Sequence, residues 1–208
     1  MIILCVLREL GEVSIDNQTV EVYNNKSEEY LKLVERPASK SLLDFIAVMK
    51  EQGLVLDLGC GPGKASALMQ KSGLRVDPID ASIEMVKLAN NRYDLKARQA
   101  EFSDINGKDI YDGIWANFSL LHAQKREFKL HIKALYRVLK PNGVFSIGMK
   151  LGQGEKRDQI GRFYAYYTEK ELTKILINAR LNICETYYGK EMGLVGSIEP
   201  WIMLRLTK

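Results

Sequence analysis

Ten residues, Val55-Leu56-Asp57-Leu58-Gly59-Cys60-Gly61-Pro62-Gly63-Lys64, constrain this 208-residue chain more than any other stretch. Leu54 to Leu58 is an apolar run holding one acid, Asp57, and is long enough for a single buried parallel strand. Gly59, Gly61 and Gly63 follow at alternate positions, and a helical pattern (Ala65, Ala67, Leu68, Met69) starts at once. Strand, glycine turn and helix in succession form the geometry of a nucleotide-type cofactor site. Glycine permits a tight turn and lets a ligand approach the backbone closely. The helix that follows offers its free N–H groups.

The details separate two kinds of cofactor. A dinucleotide site carries G-x-G-x-x-G, whereas here the third glycine comes one position early and Asp57 precedes the first by two residues. An acid there suits a ligand with an ammonium and a sulfonium better than one with a pyrophosphate. The string resembles motif I of the class I S-adenosylmethionine-dependent methyltransferases. The resemblance implies a Rossmann-like α/β fold, with a seven-stranded sheet of order 3-2-1-4-5-7-6, strand 7 antiparallel and helices on both faces. It also implies S-adenosylmethionine as cofactor and S-adenosylhomocysteine as product. In the glycine loop it assigns Asp57, Gly59, Cys60, Gly61 and Gly63 to cofactor binding.

The rest of the chain supports the same reading. Leu74 to Ile79 reads as strand two, with Pro78 unusual in a buried parallel strand. Asp80 then lies about 20 residues beyond the glycine loop, where a carboxylate takes ribose hydroxyls; Asp77 is the alternative. Asp80-Ala81-Ser82-Ile83-Glu84-Met85 resembles motif II of the family, which adds Ala81, Ser82 and Met85 to the cofactor set. Ala97 to Phe102 reads as strand three, and by the resemblance an acid just past it bonds the adenine amino group. Glu101 with Phe102 fits, and Asp104 with Ile105 is the rival register. Tyr111 to His122 resembles strand four and its exit loop, so that Asn117, Phe118 and Ser119 border the cofactor sulfur and the incoming nucleophile. Tyr136 to Lys150 resembles the family's helix, turn and strand five, with a Pro141-Asn142-Gly143 turn in which Asn-Gly takes positive φ. Leu181 to Tyr188 and Pro200 to Leu206 read as the final reversed hairpin.

The flanking segments are less regular. Residues 1–15 read as an N-terminal extension, an added strand or a packed tail, before a single domain over 16–208. Asp16 is placed to cap a helix over Thr19 to Val34 that breaks near Asn24-Asn25. That segment resembles the helical cover of small methyltransferases (16–50 here), and Tyr23 and Tyr30 are the candidates to close over the methionine end. Pro37 is placed to open the next helix and Gly53 to end it. Residues 150–167, with their glycines, arginines and tyrosines, read as a substrate lid. In it Arg162, with Arg157 as second choice, is expected to orient an anionic acceptor while Tyr164 or Tyr167 lines its apolar part. Thr168 is placed to cap the last helix.

Composition narrows the class. A net charge of +4 is too small to imply nucleic acid by itself, and three cysteines without a C-x-x-C pair argue against zinc or a disulfide framework. The cysteine usage fits a reducing, cytoplasmic setting, and no apolar run approaches membrane-spanning length. Monomer and homodimer are both compatible. Methyl transfer from a sulfonium is chiefly positioning and needs no metal. A hydroxyl or amine acceptor needs its proton removed, a carboxylate does not; His122 is the candidate base or, on the alternative, a residue that fixes its loop. His131 reads as a surface or packing residue. The basic stripe Arg126, Lys129, Lys133, Arg137 and Lys140 reads as a solvated helix face, or as a surface for an anionic partner. A small-molecule acceptor is favoured. Methylation of RNA, tRNA or a protein, an NAD-dependent oxidoreductase, and a non-catalytic cofactor-binding module are the alternatives.

Overall fold

The computed structural model describes residues 15–208; the expected extension at 1–14 lies outside them. Two cover helices open the described chain, α1 (Asn17–Asn25) and α2 (Ser27–Val34), separated only by Lys26. Asp16 caps α1, its Oδ1 accepting the Thr19 N–H at 2.8 Å. Helix α3 (Lys40–Val48) starts behind an N-cap at Ser39 rather than at Pro37, and ends before Gly53. The alternating body then runs β1 (Leu54–Leu58), α4 (Lys64–Lys71), β2 (Arg75–Asp80), α5 (Ile83–Tyr93), β3 (Arg98–Gln99), β4 (Tyr111–Asn117), α6 (Lys125–Val138) and β5 (Leu139–Lys150). A small hairpin, β6 (Glu155–Arg157) and β7 (Phe163–Ala165), precedes α7 (Glu169–Asn178), and β8 (Asn182–Met192) and β9 (Ile198–Thr207) close the chain.

Seven strands form one sheet in the order β3-β2-β1-β4-β5-β9-β8. Strands β1 to β5 pair in parallel, and β9 runs antiparallel to both β5 and β8. Counted along this sheet alone, the order is 3-2-1-4-5-7-6 with strand 7 reversed. Alternation along the strands sorts the core. Leu56, Leu58, Ile114, Ala116, Phe145, Ile147, Ile202 and Leu204 pack with Phe128, Ile132 and Leu135 of α6 and Leu172 and Leu176 of α7. Val55, Trp115, Val144 and Met203 face the other way, onto Leu42 and Phe45 of α3 and Met69 of α4. Both faces are therefore covered, and the carboxyl ends of β1, β2 and β4 are left to form a crevice.

Some boundaries differ from the sequence reading. Pro78 is accommodated in β2 because β3 is only two residues long and pairs with Ile79 and Asp80, so no neighbour on that side needs a proline N–H. Strand three is accordingly shorter than Ala97 to Phe102, and Phe102–Asp104 forms a 3₁₀ turn. In the Pro-Asn-Gly turn only Asn142 takes positive φ (61°). The segment read as irregular, 151–167, holds the β6–β7 hairpin. The final hairpin extends beyond the expected ends to Met192 and Ile198. His131 is buried on α6, its ring edge-to-face with Phe102 at 5.4 Å, so it packs rather than lies on the surface. Among the described residues, no helix is long and apolar enough to cross a membrane.

Candidate active site

The glycine loop leaves β1 with φ of 76° at Gly59, 54° at Gly61 and 85° at Gly63, a region that side chains with a Cβ rarely enter. The three glycines meet different demands. A Cβ on Gly59 would fall 2.4 Å from the Ser119 Cβ, and one on Gly63 would fall 2.4 Å from Leu95 Cδ1, so both are small in order to pack. A Cβ on Gly61 would meet only the Tyr30 ring at 3.6 Å, across the space between loop and cover. Asp57 turns from β1 under the loop, where Ser66 Oγ donates to it at 2.5 Å. Burial pushes its carboxyl up to about 7, with the Ser66 hydrogen bond opposing the shift and nearby Asp80 adding to it. Cys60 is buried beside it; burial and the same two carboxylates push its thiol up, which leaves it inert.

Asp80, at the carboxyl end of β2, accepts the Gly61 N–H at 2.8 Å and the Ser82 N–H at 2.9 Å. Burial raises its pKa, and these backbone bonds work against that rise. Ser82 caps α5 through the Met85 N–H and donates to Asn24 Oδ1 of the cover at 2.6 Å. A cavity of about 90 Å³ opens here, lined by Asp80, Ala81, Ser82, Met85, Ala100, Phe102, Asn117, Phe118 and Ser119 and roofed by Ile15, Asp16, Thr19, Val20, Tyr23 and Tyr30. Of the two candidate adenine acids, Asp104 is exposed and accepts the Glu101 N–H at 2.8 Å, while Glu101 lines a smaller neighbouring hollow with Phe102 and Ser103. Phe118 adopts φ of 57°, a strained choice for a bulky residue, and it sits where β4 gives way to the loop.

A second cavity, about 600 Å³, adjoins the first, and Tyr23, Tyr30, Gly59, Gly61, Asn117, Phe118 and His122 line both. Its aromatic walls include Phe118, Tyr164 and Trp201, and its ionic side chains are Arg36, Asp57, Lys64, Lys150, Arg162, Glu191 and Glu199. Lys150, Glu199, Trp201 and Met203 carry no motif; on β5 and β9 they read in sequence as ordinary strand residues. Ile15, Thr19 and Asn24 were equally silent, being placed only by the way the cover folds back.

The tyrosine, histidine and arginine expected from the sequence meet at one point. His122 Nδ1 lies 2.6 Å from the Phe163 carbonyl, which only accepts, so Nδ1 carries the proton. Nε2 is then the acceptor for the Tyr23 hydroxyl at 2.9 Å. Arg162 Nη1 donates to the same hydroxyl at 3.2 Å. Burial drives the His122 pKa down to about 3, so the ring is neutral and its lone pair is engaged. This geometry fits the loop-fixing reading of His122 and supplies no free base. Arg162 is buried, with Nε 2.9 Å and Nη2 2.8 Å from Asp158 Oδ2 and its guanidinium stacked near Tyr23 and Tyr164. The open anion clamp expected of Arg162 is thus already closed by Asp158. Arg157, the second choice, is bound to Asp16. Tyr164 lines the larger cavity, whereas Tyr167 is buried against Phe128.

These residues fit S-adenosylmethionine. Asp80 keeps acceptor capacity for ribose hydroxyls beside its backbone bonds, Gly61 leaves the room that a Cβ would fill, and Asp57 offers a buried carboxylate for an ammonium.

Comparison with known proteins agrees. Residues 55–143 match the model of a family described as a methyltransferase domain. An uncharacterized methyltransferase of Staphylococcus carnosus is 28% identical over 148 residues, 71% of this chain and 69% of that protein. Malonyl-[acyl-carrier protein] O-methyltransferase of Salmonella typhimurium is 31% identical over 94 residues, 43% of this chain and 36% of that protein. Among solved structures, Burkholderia thailandensis 1,6-didemethyltoxoflavin-N1-methyltransferase with bound 1,6-didemethyltoxoflavin and S-adenosylhomocysteine superposes with a TM-score of 0.71 at 19% identity, over 92% of this chain and 88% of that one. The [4+2]-cyclase SpnF gives 0.71 at 16% identity over 95% and 97%. Residues 55–143 thus match a methyltransferase domain, and the sheet order and the glycine loop with its two acids agree with that match.

Proposed function

We propose that this protein transfers a methyl group from S-adenosylmethionine to a small-molecule acceptor held in the larger cavity. The observation that carries this reading is the pair of adjoining cavities, one built round Asp80 and one that runs from Asp57 and the glycine loop to aromatic walls, which share Tyr23, Gly59, Gly61, Asn117, Phe118 and His122. When bound, S-adenosylmethionine supplies an electrophilic methyl carbon. Asp80 holds its ribose, Asp57 faces its ammonium, and Ala81, Met85, Ala100 and Phe102 enclose its base. The cover and the β6–β7 hairpin exclude water from the junction, where positioning rather than acid–base chemistry limits the rate. A buried junction of this kind favours a molecule small enough to be enclosed over an exposed polymer. The stripe Lys129, Lys133 and Arg137 lines neither cavity, which weakens the RNA and protein alternatives. The 1,6-didemethyltoxoflavin bound by the Burkholderia relative also supports a small acceptor.

The test is incubation with S-adenosylmethionine labelled in the methyl group and a fractionated metabolite extract. Label should appear in a low-molecular-weight fraction and vanish with Asp80→Ala. Label found only in RNA or protein would replace this reading with one of the alternatives.

A further inference from the structure

The larger cavity has four cationic and three anionic side chains in its walls, and each has an internal partner. Arg162 is held by Asp158 at 2.8 Å. Lys150 pairs with Glu199, which also accepts from Tyr166 Oη at 2.8 Å. Arg36 pairs with Glu191 at the mouth, and Lys64 is turned onto the carbonyls of Val34 and Arg36. Asp57 is bonded to Ser66. Three of the four cations are therefore paired with carboxylates and Lys64 rests on carbonyls alone, while the rest of the wall is apolar, with Tyr23, Phe118, Tyr164 and Trp201 its aromatic part. An anion entering this space away from Lys64 would have to break an existing pair or stay uncompensated.

Ser119 Oγ, Trp201 Nε1 and Arg162 Nη2 in these walls are buried without a hydrogen-bond partner, and Tyr23 Oη at the junction keeps acceptor capacity. The Phe163 carbonyl fixes the His122 tautomer, His122 Nε2 takes the Tyr23 proton, and Arg162 donates to the Tyr23 oxygen. Tyr23 Oη thus has its donor committed and one acceptor position remaining. The low pKa of His122 keeps the imidazole neutral, so this orientation persists across the physiological range. Extending the methyltransferase reading above, on which it rests, we propose that the acceptor is a neutral, aromatic molecule whose nucleophilic N–H or O–H donates to Tyr23 Oη where the two cavities meet. Tyr23 then selects a protonated heteroatom and aims its lone pair at the cofactor methyl, so that the heteroatom–carbon bond forms as the methyl–sulfur bond breaks and the methylated product gives its proton to solvent, while Arg162 and His122 act as positioning residues for the phenol.

The experiment is calorimetry on the full chain saturated with S-adenosylhomocysteine, using indole, N-methylindole and indole carboxylate as probes. Binding of S-adenosylhomocysteine is measured first; its failure overturns the methyltransferase reading itself. With that binding intact, indole should bind about fivefold more tightly than N-methylindole, the worth of one hydrogen bond. Indole carboxylate should bind about tenfold or more weakly than indole, as befits an uncompensated charge. Tyr23→Phe should bring indole and N-methylindole to equal affinity, an outcome that a purely structural tyrosine does not produce. Tighter binding of the carboxylate, equal binding of the two neutral probes to the native protein, a preference that survives Tyr23→Phe, or no binding by any probe would each overturn the proposal. Should Tyr23→Phe fail to fold, the panel on the native chain decides alone.

Discussion

At the scale of single residues, neighbouring glycines and acids divide the work. On the proposed reading Asp80 accepts from the ribose, and Asp80→Ala should weaken S-adenosylhomocysteine binding by about 1–3 kcal/mol, roughly 5- to 150-fold. An unchanged affinity in calorimetry would remove Asp80 from the site. Gly61 opens onto the cavity while Gly59 packs on Ser119, which gives the two different signatures. Gly61→Val should fold with a stability loss of about 1–3 kcal/mol from its positive φ and lose cofactor binding. Gly59→Ala adds a clash with Ser119 to the same backbone strain, and thermal melts with and without S-adenosylhomocysteine distinguish loss of binding from loss of stability. Asp57 brings a pH dependence. In the free protein its carboxyl titrates at about 7, above the ordinary value of 3.8, so a neutral carboxyl prevails below that point. The ligand ammonium favours the carboxylate. Affinity for S-adenosylhomocysteine should therefore rise with pH from 5.5 to 8 and flatten in Asp57→Asn; the raised pKa of Asp80 acts in the same sense. The linkage to stability runs the other way. The folded state holds the Asp57 proton more tightly than the unfolded chain does, so this group's contribution is present below about 4 and is lost as pH climbs through 7. An affinity that falls over that range would contradict the placement of Asp57.

At the scale of elements, the cover is attached mainly by polar contacts. Helix α2 has no buried residue and α1 buries only Thr19. What holds α1 to the β6–β7 hairpin includes Asp16 with Arg157 at 2.6 and 2.9 Å, the Phe163 N–H donating to Thr19 Oγ1 at 2.8 Å and Arg162 Nη1 donating to Tyr23 Oη at 3.2 Å. Lys64 and Arg36 tie down the other end of the cover. An element with few apolar contacts opens at low cost, which suits one that must admit a cofactor. Arg157 is half exposed, so its pair with Asp16 is worth about 0.2–1 kcal/mol. Arg157→Ala should speed S-adenosylhomocysteine release by up to roughly fivefold and leave the melting temperature of the ligand-free protein almost unchanged. Stopped-flow dissociation traces superimposable on those of the native protein would show that the latch does not gate release. The guanidinium holds Asp16 down at about 2, so the latch is intact at neutral pH and fails only as pH drops toward that value.

At the scale of the whole molecule, binding and folding are linked, because the cofactor cavity is assembled from β1, β2, β4 and the cover. A ligand at 100 times its Kd adds about 2.7 kcal/mol to stability. For a chain of this size that corresponds to a rise in Tm of roughly 5–10 °C. S-adenosylhomocysteine should produce this shift and NADH should not. A shift with NADH alone would revive the oxidoreductase alternative, which shares the strand–turn–helix unit.

The glycine loop could be read from sequence because it depends on local pattern, an apolar run with glycines at fixed spacing and an acid at a strand end, whereas the order of the strands and the reversed last hairpin were legible only through the resemblance that the loop carries. That Asp80, Ser82, Met85 and Phe118 line one cavity was legible too, since a βαβ unit puts strand ends in one crevice whatever the rest of the chain does. The acceptor side was not legible. Whether Arg162 is a free fork or a paired one depends on where Asp158 folds relative to it, and whether His122 has a free lone pair depends on Tyr23, 99 residues away. Lys150, Glu199 and Trp201 reach the cavity from strands whose pattern encodes only which face is buried. Charge matching and hydrogen-bond direction are properties of side chains brought together from distant segments. The sequence therefore determined the fold and named the candidates for the proposed cofactor half of the site, and only the tertiary structure decided which charges in the larger cavity are already paired.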